Sequence, residues 1–323
     1  MKRKIKFIIC FFSFICLLGC NAYDKSGKNK EEAKKTPASK KKIALVMKTL
    51  TNPFFIEMEK GARKAQEDLG IDLMVKTGAQ ETSIDQQISI VEELISLKVD
   101  GIVIAPANST DIVPVLKKAQ DAKIPIVNVD DRLDIEMCKK IGLINVPFVS
   151  IDNENAAYLS AKYISNMISK PTKAAILEGI PNASNSEKRK LGAIRAFKEN
   201  NNITVAVVDT AHWKINEAYS VTKRMVEKDS DIGVIYCAND MMALGASEYV
   251  HSIGRKDIKI AGFDALAEVK EEIHKGNIMV TVDQQPQQQA YKSVEYVYRM
   301  INGEKVPMET LISAKLINRD EVK

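Results

Sequence analysis

Short apolar runs of strand type and amphipathic helical stretches take turns from Lys42 nearly to the end of this 323-residue chain, and no other feature constrains the fold as tightly. Residues 43–48 read as the first strand. Asn52 and Pro53 then open a helix, because asparagine caps orphan amides and proline is preorganised for the first helical position. Phe55, Met58, Ala62, Ala65 and Leu69 recur at helical spacing, and Gly70 ends the run. A strand follows at 71–75 and a helix face at Ile84, Ile88, Val91 and Ile95. Residues 99–105 are almost continuously apolar, as in a parallel sheet covered on both faces. A helix near 110–121 and a strand at 124–129 complete this half. The pattern restarts after Pro147, with helices expected at 155–168, 186–199, 216–227, 241–250, 265–274 and 287–301. Strands are expected between them at 174–177, 203–208, 232–236, 258–261 and 278–282. Such alternation predicts an α/β protein with parallel, doubly wound sheets, and this many units predict two sheets and two lobes.

Ligands of open parallel sheets bind beyond the carboxyl ends of the strands. The polar residues at those ends are Lys48, Asn52, Asn108, Asp130, Asp131, Arg132, Asn239, Asp240, Asp264 and Gln284, while mid-strand positions are apolar. Chemistry is therefore concentrated at one edge of each sheet. The halves echo each other without a detectable repeat: Val129-Asp130-Asp131 and Gly262-Phe263-Asp264 each set carboxylates just past a strand. Asp240 reads as the cap of a helix starting at Met241.

Ahead of the alternating pattern lies a different kind of sequence. Lys2, Arg3, Lys4 and Lys6 precede an apolar run at 7–18 that is too short to span a bilayer, the form of a secretory signal. The run ends in Leu17-Leu18-Gly19-Cys20, which resembles the lipobox of bacterial lipoproteins; that resemblance implies cleavage of residues 1–20 ahead of an acylated Cys20. Residues 21–42 are rich in Lys, Ser, Asn and Gly and read as a flexible tether. Residues 1–42 hold 12 of the 47 basic and 3 of the 42 acidic residues, so the remainder carries 39 acidic against 35 basic groups. The basic balance belongs to the leader, and the folded part has no excess that points to nucleic acid. Of five cysteines, Cys10 and Cys16 lie in the signal and Cys20 at its end; Cys138 and Cys237 read as free thiols, and no metal-type Cys/His spacing occurs.

Seven segments in order resemble the ribose/allose-type periplasmic sugar-binding protein family. They are Lys48-Thr49-Leu50-Thr51-Asn52-Pro53-Phe54-Phe55, Val127-Asn128-Val129-Asp130, Asn182-Ala183-Ser184 with Arg189 and Gly192, Ala211-His212-Trp213, Tyr236-Cys237-Ala238-Asn239-Asp240-Met241, Gly262-Phe263-Asp264 and Thr281-Val282-Asp283-Gln284. The resemblance implies the type I periplasmic binding protein fold, with two discontinuous lobes joined by a three-stranded hinge. It places one lobe at 43–151 and 286–311 and the other at 152–285 and 312–323, with crossings near 150–152, 284–286 and 312–314. It further implies a ligand-binding set of Lys48, Asn52, Phe54, Phe55, Asp130, Arg189, Trp213, Asn239, Asp264 and Gln284. Lys48 and Val127-Asn128-Val129-Asp130 follow the allose-type pattern, whereas Phe55 stands where a tryptophan is expected. Asp131 departs from the ribose-type pattern, in which an arginine follows the aspartate, and Arg132 comes one place late.

The residue types fit that assignment chemically. A sugar hydroxyl both donates and accepts, so carboxylates, amides, Lys and Arg satisfy it together, and flat aromatic faces suit the C–H side of a ring. Two carboxylates against two cations make a balanced site, which favours an uncharged sugar or polyol over a phosphate or di-acid. No Ser–His–Asp or Cys–His arrangement and no Gly-rich phosphate loop is present, and the three histidines, His212, His251 and His274, are far apart in sequence. The expectation is binding without catalysis, cofactor or metal: a monomeric lipoprotein outside the cytoplasmic membrane or in the periplasm, handing a neutral monosaccharide or polyol to an ABC permease. An alternative is a subunit presenting a sugar or signal molecule to a membrane sensor or chemoreceptor. A lactose-repressor-type regulator would need a helix-turn-helix where residues 1–42 carry a signal and tether.

Overall fold

The structure, a computed structural model, describes residues 40–322. The signal, Cys20 and nearly all of the tether lie outside the described residues. The first lobe is built from strands β1 (Lys42–Met47), β2 (Asp72–Thr77), β3 (Gly101–Ile104), β4 (Ile126–Val129) and β5 (Phe148–Ser150). Helices α1 (Pro53–Leu69), α2 (Ile84–Ser96), α3 (Val113–Asp121) and α4 (Ile135–Ile141) connect them. The chain then enters the second lobe through α5 (Asn153–Ser165), β6 (Thr172–Glu178), α6 (Ser184–Lys198), β7 (Ile203–Thr210) and α7 (Ile215–Lys228). It continues through β8 (Ile232–Cys237), α8 (Asp240–Ser252), β9 (Lys259–Ala261), α9 (Ala267–Lys275) and β10 (Val280–Asp283). Helix α10 (Pro286–Ile301) and strand β11 (Glu309–Leu311) return to the first lobe, and β12 (Lys315–Asn318) ends in the second.

Each lobe holds a six-stranded sheet, in the orders β11-β5-β4-β3-β1-β2 and β12-β10-β9-β8-β6-β7. Every pairing in the first is parallel. In the second only β12 runs antiparallel, along β10. The chain passes between sheets three times: after β5, after β10 and between β11 and β12. The expected α/β architecture of two doubly wound lobes is present. Three short strands, β5, β11 and β12, had no clear signal because three or four residues hold little period to read, and neither did the seven-residue helix α4.

Burial explains why these segments become strands. β1 is buried from Ile43 to Met47 and β3 throughout, so their runs of Ile, Val, Ala and Leu face apolar neighbours on both sides of the sheet. In the first lobe the side chains divide by strand face. Ile43, Leu45 and Met47 join one cluster with α1 and α10, whereas Ala44 and Val46 join another with α2 and α3. α1 begins as the residues predict: Asn52 Oδ1 accepts the Phe54 amide at 3.0 Å, with Pro53 at the first helical position. It ends at Gly70, whose φ of +65° is the left-handed closure that glycine adopts without strain.

Candidate functional site: a polar cavity between two sheet edges

The carboxyl ends of the two sheets face a common, nearly filled cavity with about 20 Å³ of free space. Its lining comprises Lys48, Asn52, Phe54, Phe55, Asp130, Arg189, Trp213, Asn239, Asp264 and Gln284, together with Glu81 and Asn185. That volume holds about one water, well below the roughly 300 to 1,000 Å³ of ligand pockets, so the lobes have to part for a ring to enter. A wider groove of about 650 Å³ adjoins it between the start of α1, residues 264–268 and residues 285–288. It shares Phe54 and Asp264 but none of the buried cations, and forms an open approach beside the polar cluster.

In the first lobe, Lys48 follows β1 and Asp130 follows β4. Lys48 Nζ lies 3.5 Å from Asp130 Oδ2 and 3.9 Å from Asp131 Oδ2. Burial works against the Lys48 ammonium, but Asp130, Asp131 and Glu81 together outweigh it and hold its pKa above the usual lysine range. Asp130 has φ +66°, a conformation that costs a non-glycine residue energy and clusters at functional sites. Asn52 carries two tasks: its carbonyl caps α1 while Nδ2 donates to Glu81 Oε1 at 2.9 Å. Phe54 and Phe55 meet edge to face, with centroids 5.1 Å apart, and both belong to the apolar cluster under α1 as well as to the cavity wall.

The second lobe centres on Arg189, on α6 and only 3% exposed. Its Nε donates to Asn153 Oδ1 at 2.8 Å and Nη1 to the Ala238 carbonyl at 2.9 Å, while Nη1 lies 3.8 Å from Asp264 Oδ1. The guanidinium stacks 3.9 Å from the Phe263 ring centroid and 5.6 Å from that of Trp213. Gln284 Nε2 donates to Asp264 Oδ1. Burial holds the Asp264 carboxyl well above the usual carboxylate range, and Arg189 offsets this only in part. Two successive left-handed residues, His212 at φ +48° and Trp213 at φ +67°, deliver the indole to the cavity. Nothing larger than hydrogen fits beneath it: a Cβ on Gly179 would lie 1.9 Å from Trp213 Cζ2.

Three buried polar atoms of this lining have no hydrogen-bond partner within the protein: Trp213 Nε1, Asn185 Oδ1 and Gln284 Oε1. One is a donor and two are acceptors. Leaving such groups unpaired costs about 1–3 kcal/mol each, so the site is built to receive a ligand that both donates and accepts.

All ten residues expected from sequence therefore lie together, with two additions. Glu81 lies four residues past the carboxyl end of β2, in a polar loop rather than at the strand end itself. Asn185 lies inside a segment already singled out, between Ser184 and Arg189. Glu81 also changes the balance to three lining carboxylates against two cations; burial raises its pKa above the ordinary range, with Lys48 and Asn52 opposing. Asn108 is not part of the cavity, since its side chain closes a turn by accepting the Thr110 and Asp111 amides. Arg132 pairs with Glu309 and lies 4.0 Å from the Phe148 centroid.

Asp240 requires a correction. α8 starts at Asp240, and its cap is Asn239, whose Oδ1 accepts the Met242 amide at 2.9 Å. The Asp240 carboxylate instead accepts the Leu266 amide and the Thr281 hydroxyl, at 2.8 and 2.7 Å, bracing the loop that carries Asp264. Burial pushes its pKa up to about 6, against the bonds from Thr281 and Leu266. The folded protein therefore holds this proton longer than the unfolded chain, so the contribution to stability is complete below about pH 4 and is lost as pH rises through about 6. Expected outcome: the unfolding free energy of wild type minus that of Asp240→Asn falls between pH 4 and pH 7 by on the order of 3 kcal/mol in urea titrations. A flat difference would contradict it.

Among the described residues no cluster of metal-ligating side chains occurs, and no helix is long and apolar enough to cross a membrane. Cys138 and Cys237 are free.

Two α/β lobes with a polar cavity at their facing sheet edges define a class of proteins that bind a solute between the lobes. Residues 43–305 match the family described as periplasmic binding protein domain. A D-ribose/D-allose-binding protein of Pseudomonas aeruginosa is 34% identical over 82% of this chain and 83% of its own. The D-allose-binding periplasmic protein of Escherichia coli is 30% identical over 75% and 79%. A crystal structure of an ABC transporter solute-binding protein of Actinobacillus succinogenes with bound D-allose superposes with a TM-score of 0.84, at 34% identity, covering 88% of this chain and 99% of that one. The chain belongs to the periplasmic binding protein family, whose members act outside the cytoplasm as solute-binding components of ABC importers rather than as enzymes.

Proposed function

We propose that this protein captures a neutral monosaccharide or polyol in the cavity between its lobes and delivers it to the permease of an ABC importer. The observation that carries this reading is the cavity's composition. Cationic donors, carboxylates, amides, three aromatic faces and three unpaired buried polar atoms converge on one cavity between the lobes. The relatives named for ribose and allose and the neighbour holding D-allose support an aldose as the ligand.

In the proposed mechanism, residues 43–151 with 286–311 and residues 152–285 with 312–323 move as units about the three crossings. Lys48, Asn52, Phe54, Phe55 and Asp130 present one half-site, and Arg189, Trp213, Asn239, Asp264 and the crossing residue Gln284 the other. A ligand touching both halves only when the cleft is shut stabilises the closed form by its differential affinity for it. Acylation at Cys20 would hold the monomeric protein at the membrane's outer face through the tether; Cys20→Ala should release it into the soluble fraction.

Thermal-shift screening of the protein lacking residues 1–39 against allose, ribose, other aldoses, inositol and phosphorylated sugars tests the reading. A true ligand at a hundred times its dissociation constant stabilises the fold by about 2.7 kcal/mol. Stabilisation by a neutral sugar and none by its phosphate is expected; stabilisation only by charged solutes would exclude the proposal.

A further inference from the structure

Asp131 is fully buried yet does not line the cavity. Its side chain turns toward the opposite lobe: Oδ1 accepts the backbone amide of Asn185 at 3.0 Å. Asn185 is the second residue of α6, a helix whose own N-cap position is Ala183 and offers no side-chain hydrogen bond. Alanine is among the poorest N-cap residues, and the first-turn amides it leaves open are the groups an aspartate satisfies best. The missing cap of one lobe is supplied by a carboxylate of the other. Among the described residues, this is the one hydrogen bond that joins the lobes outside the three crossings. Asp131 is itself set in the first lobe, with Oδ2 3.4 Å from Ser109 Oγ and 3.9 Å from Lys48 Nζ, and with Asn128 Nδ2 donating to its carbonyl at 2.8 Å. The left-handed backbone at Asp130 separates the tasks of the neighbouring carboxylates, one lining the cavity and the other reaching past it.

We infer that Asp131 is a closure latch: it caps α6 only when the cleft is shut, and so adds to the closed state a stabilisation independent of which ligand is inside. This inference rests on lobe closure as proposed above and on no contact with the sugar. It makes Asp131 a positioning residue that sets overall affinity without setting specificity.

In the protein lacking residues 1–39 and free of Cys138 and Cys237, spin labels on exposed lysines of the two lobes, Lys64→Cys and Lys223→Cys, report the interlobe distance without ligand. Asp131→Ala is expected to lower the closed fraction about tenfold, in line with the loss of one charged cap. Dissociation constants for every sugar that binds should rise by that same factor, with the order of preference kept. Ala183→Ser gives α6 a cap of its own in both states, and in that background Asp131→Ala should lose most of its effect. A closed fraction unchanged by Asp131→Ala, or an affinity loss that differs from sugar to sugar, would overturn the latch. Because the distance readout needs no ligand, a protein that binds no sugar would defeat the sugar reading and leave the latch standing.

Discussion

Asp264→Ala is expected to weaken sugar binding by about two to four orders of magnitude while leaving the fold intact. Arg189 Nη1 lies 3.8 Å from Asp264 Oδ1, and both groups are buried. Removing the carboxylate leaves the guanidinium without its countercharge inside the second half-site and takes the acceptor from Gln284 Nε2. Stripping one partner from a buried charged pair costs about 3–5 kcal/mol, nearly all of it felt in the closed, dehydrated state. The fold should survive, because the backbone of this turn is held elsewhere. The Asp264 amide donates to the Val282 carbonyl and the Leu266 amide to Asp240. Alanine also keeps the Cβ, so the positive φ of +130° is no more strained than before. Calorimetry against the wild-type ligand and a melting curve without it separate the two effects. Affinity within threefold of wild type would remove Asp264 from the binding set.

The second large effect comes from a residue that touches no ligand. Gly179→Ala places a methyl group 1.9 Å from Trp213 Cζ2 and 2.2 Å from Cε2, so the indole has to leave its seat. The Trp213 loop already holds two left-handed residues in succession, each of which costs on the order of 1–3 kcal/mol and persists only because its surroundings enforce it. Displacing the ring removes an aromatic wall and an unpaired N–H donor at once. Losses of this kind at central aromatic positions amount to about 2–4 kcal/mol, or roughly thirty- to a thousandfold in affinity. Trp213→Ala should give a loss of the same order, and the double variant little more, since both substitutions remove one interaction. Independent, additive losses would show that Gly179 acts on something other than the ring.

The reach of the sequence differs between its parts for physical reasons. Long periodic helices and apolar strands were legible because burial on both faces of a parallel sheet writes an unmistakable run, as in β3 and β8. β5, β11 and β12 were not, since short strands beside crossings take their structure from neighbours, and neither was the two-turn helix α4. Nine of the ten expected binding residues converge because each follows a strand or lies at the start of a helix, where the topology leaves only one edge to occupy; Arg189 reaches the same place from within α6. Glu81 escaped notice in a loop of polar residues that announces no strand end by itself. The tasks of Asp131 and Asp240 were beyond reach for another reason: both act on the backbone of segments distant in sequence, Asn185 in one case and Leu266 in the other. No spacing along the chain encodes such a contact.

Trp213 is the only tryptophan in the chain and its indole lines the cavity, so its emission reports directly on what enters. Titration with neutral aldoses is predicted to change the fluorescence in a saturable, one-site manner for at least one sugar, with Asp264→Ala abolishing the change at the same concentrations. A sugar that binds by calorimetry yet leaves Trp213 emission flat would place its site elsewhere and contradict the account.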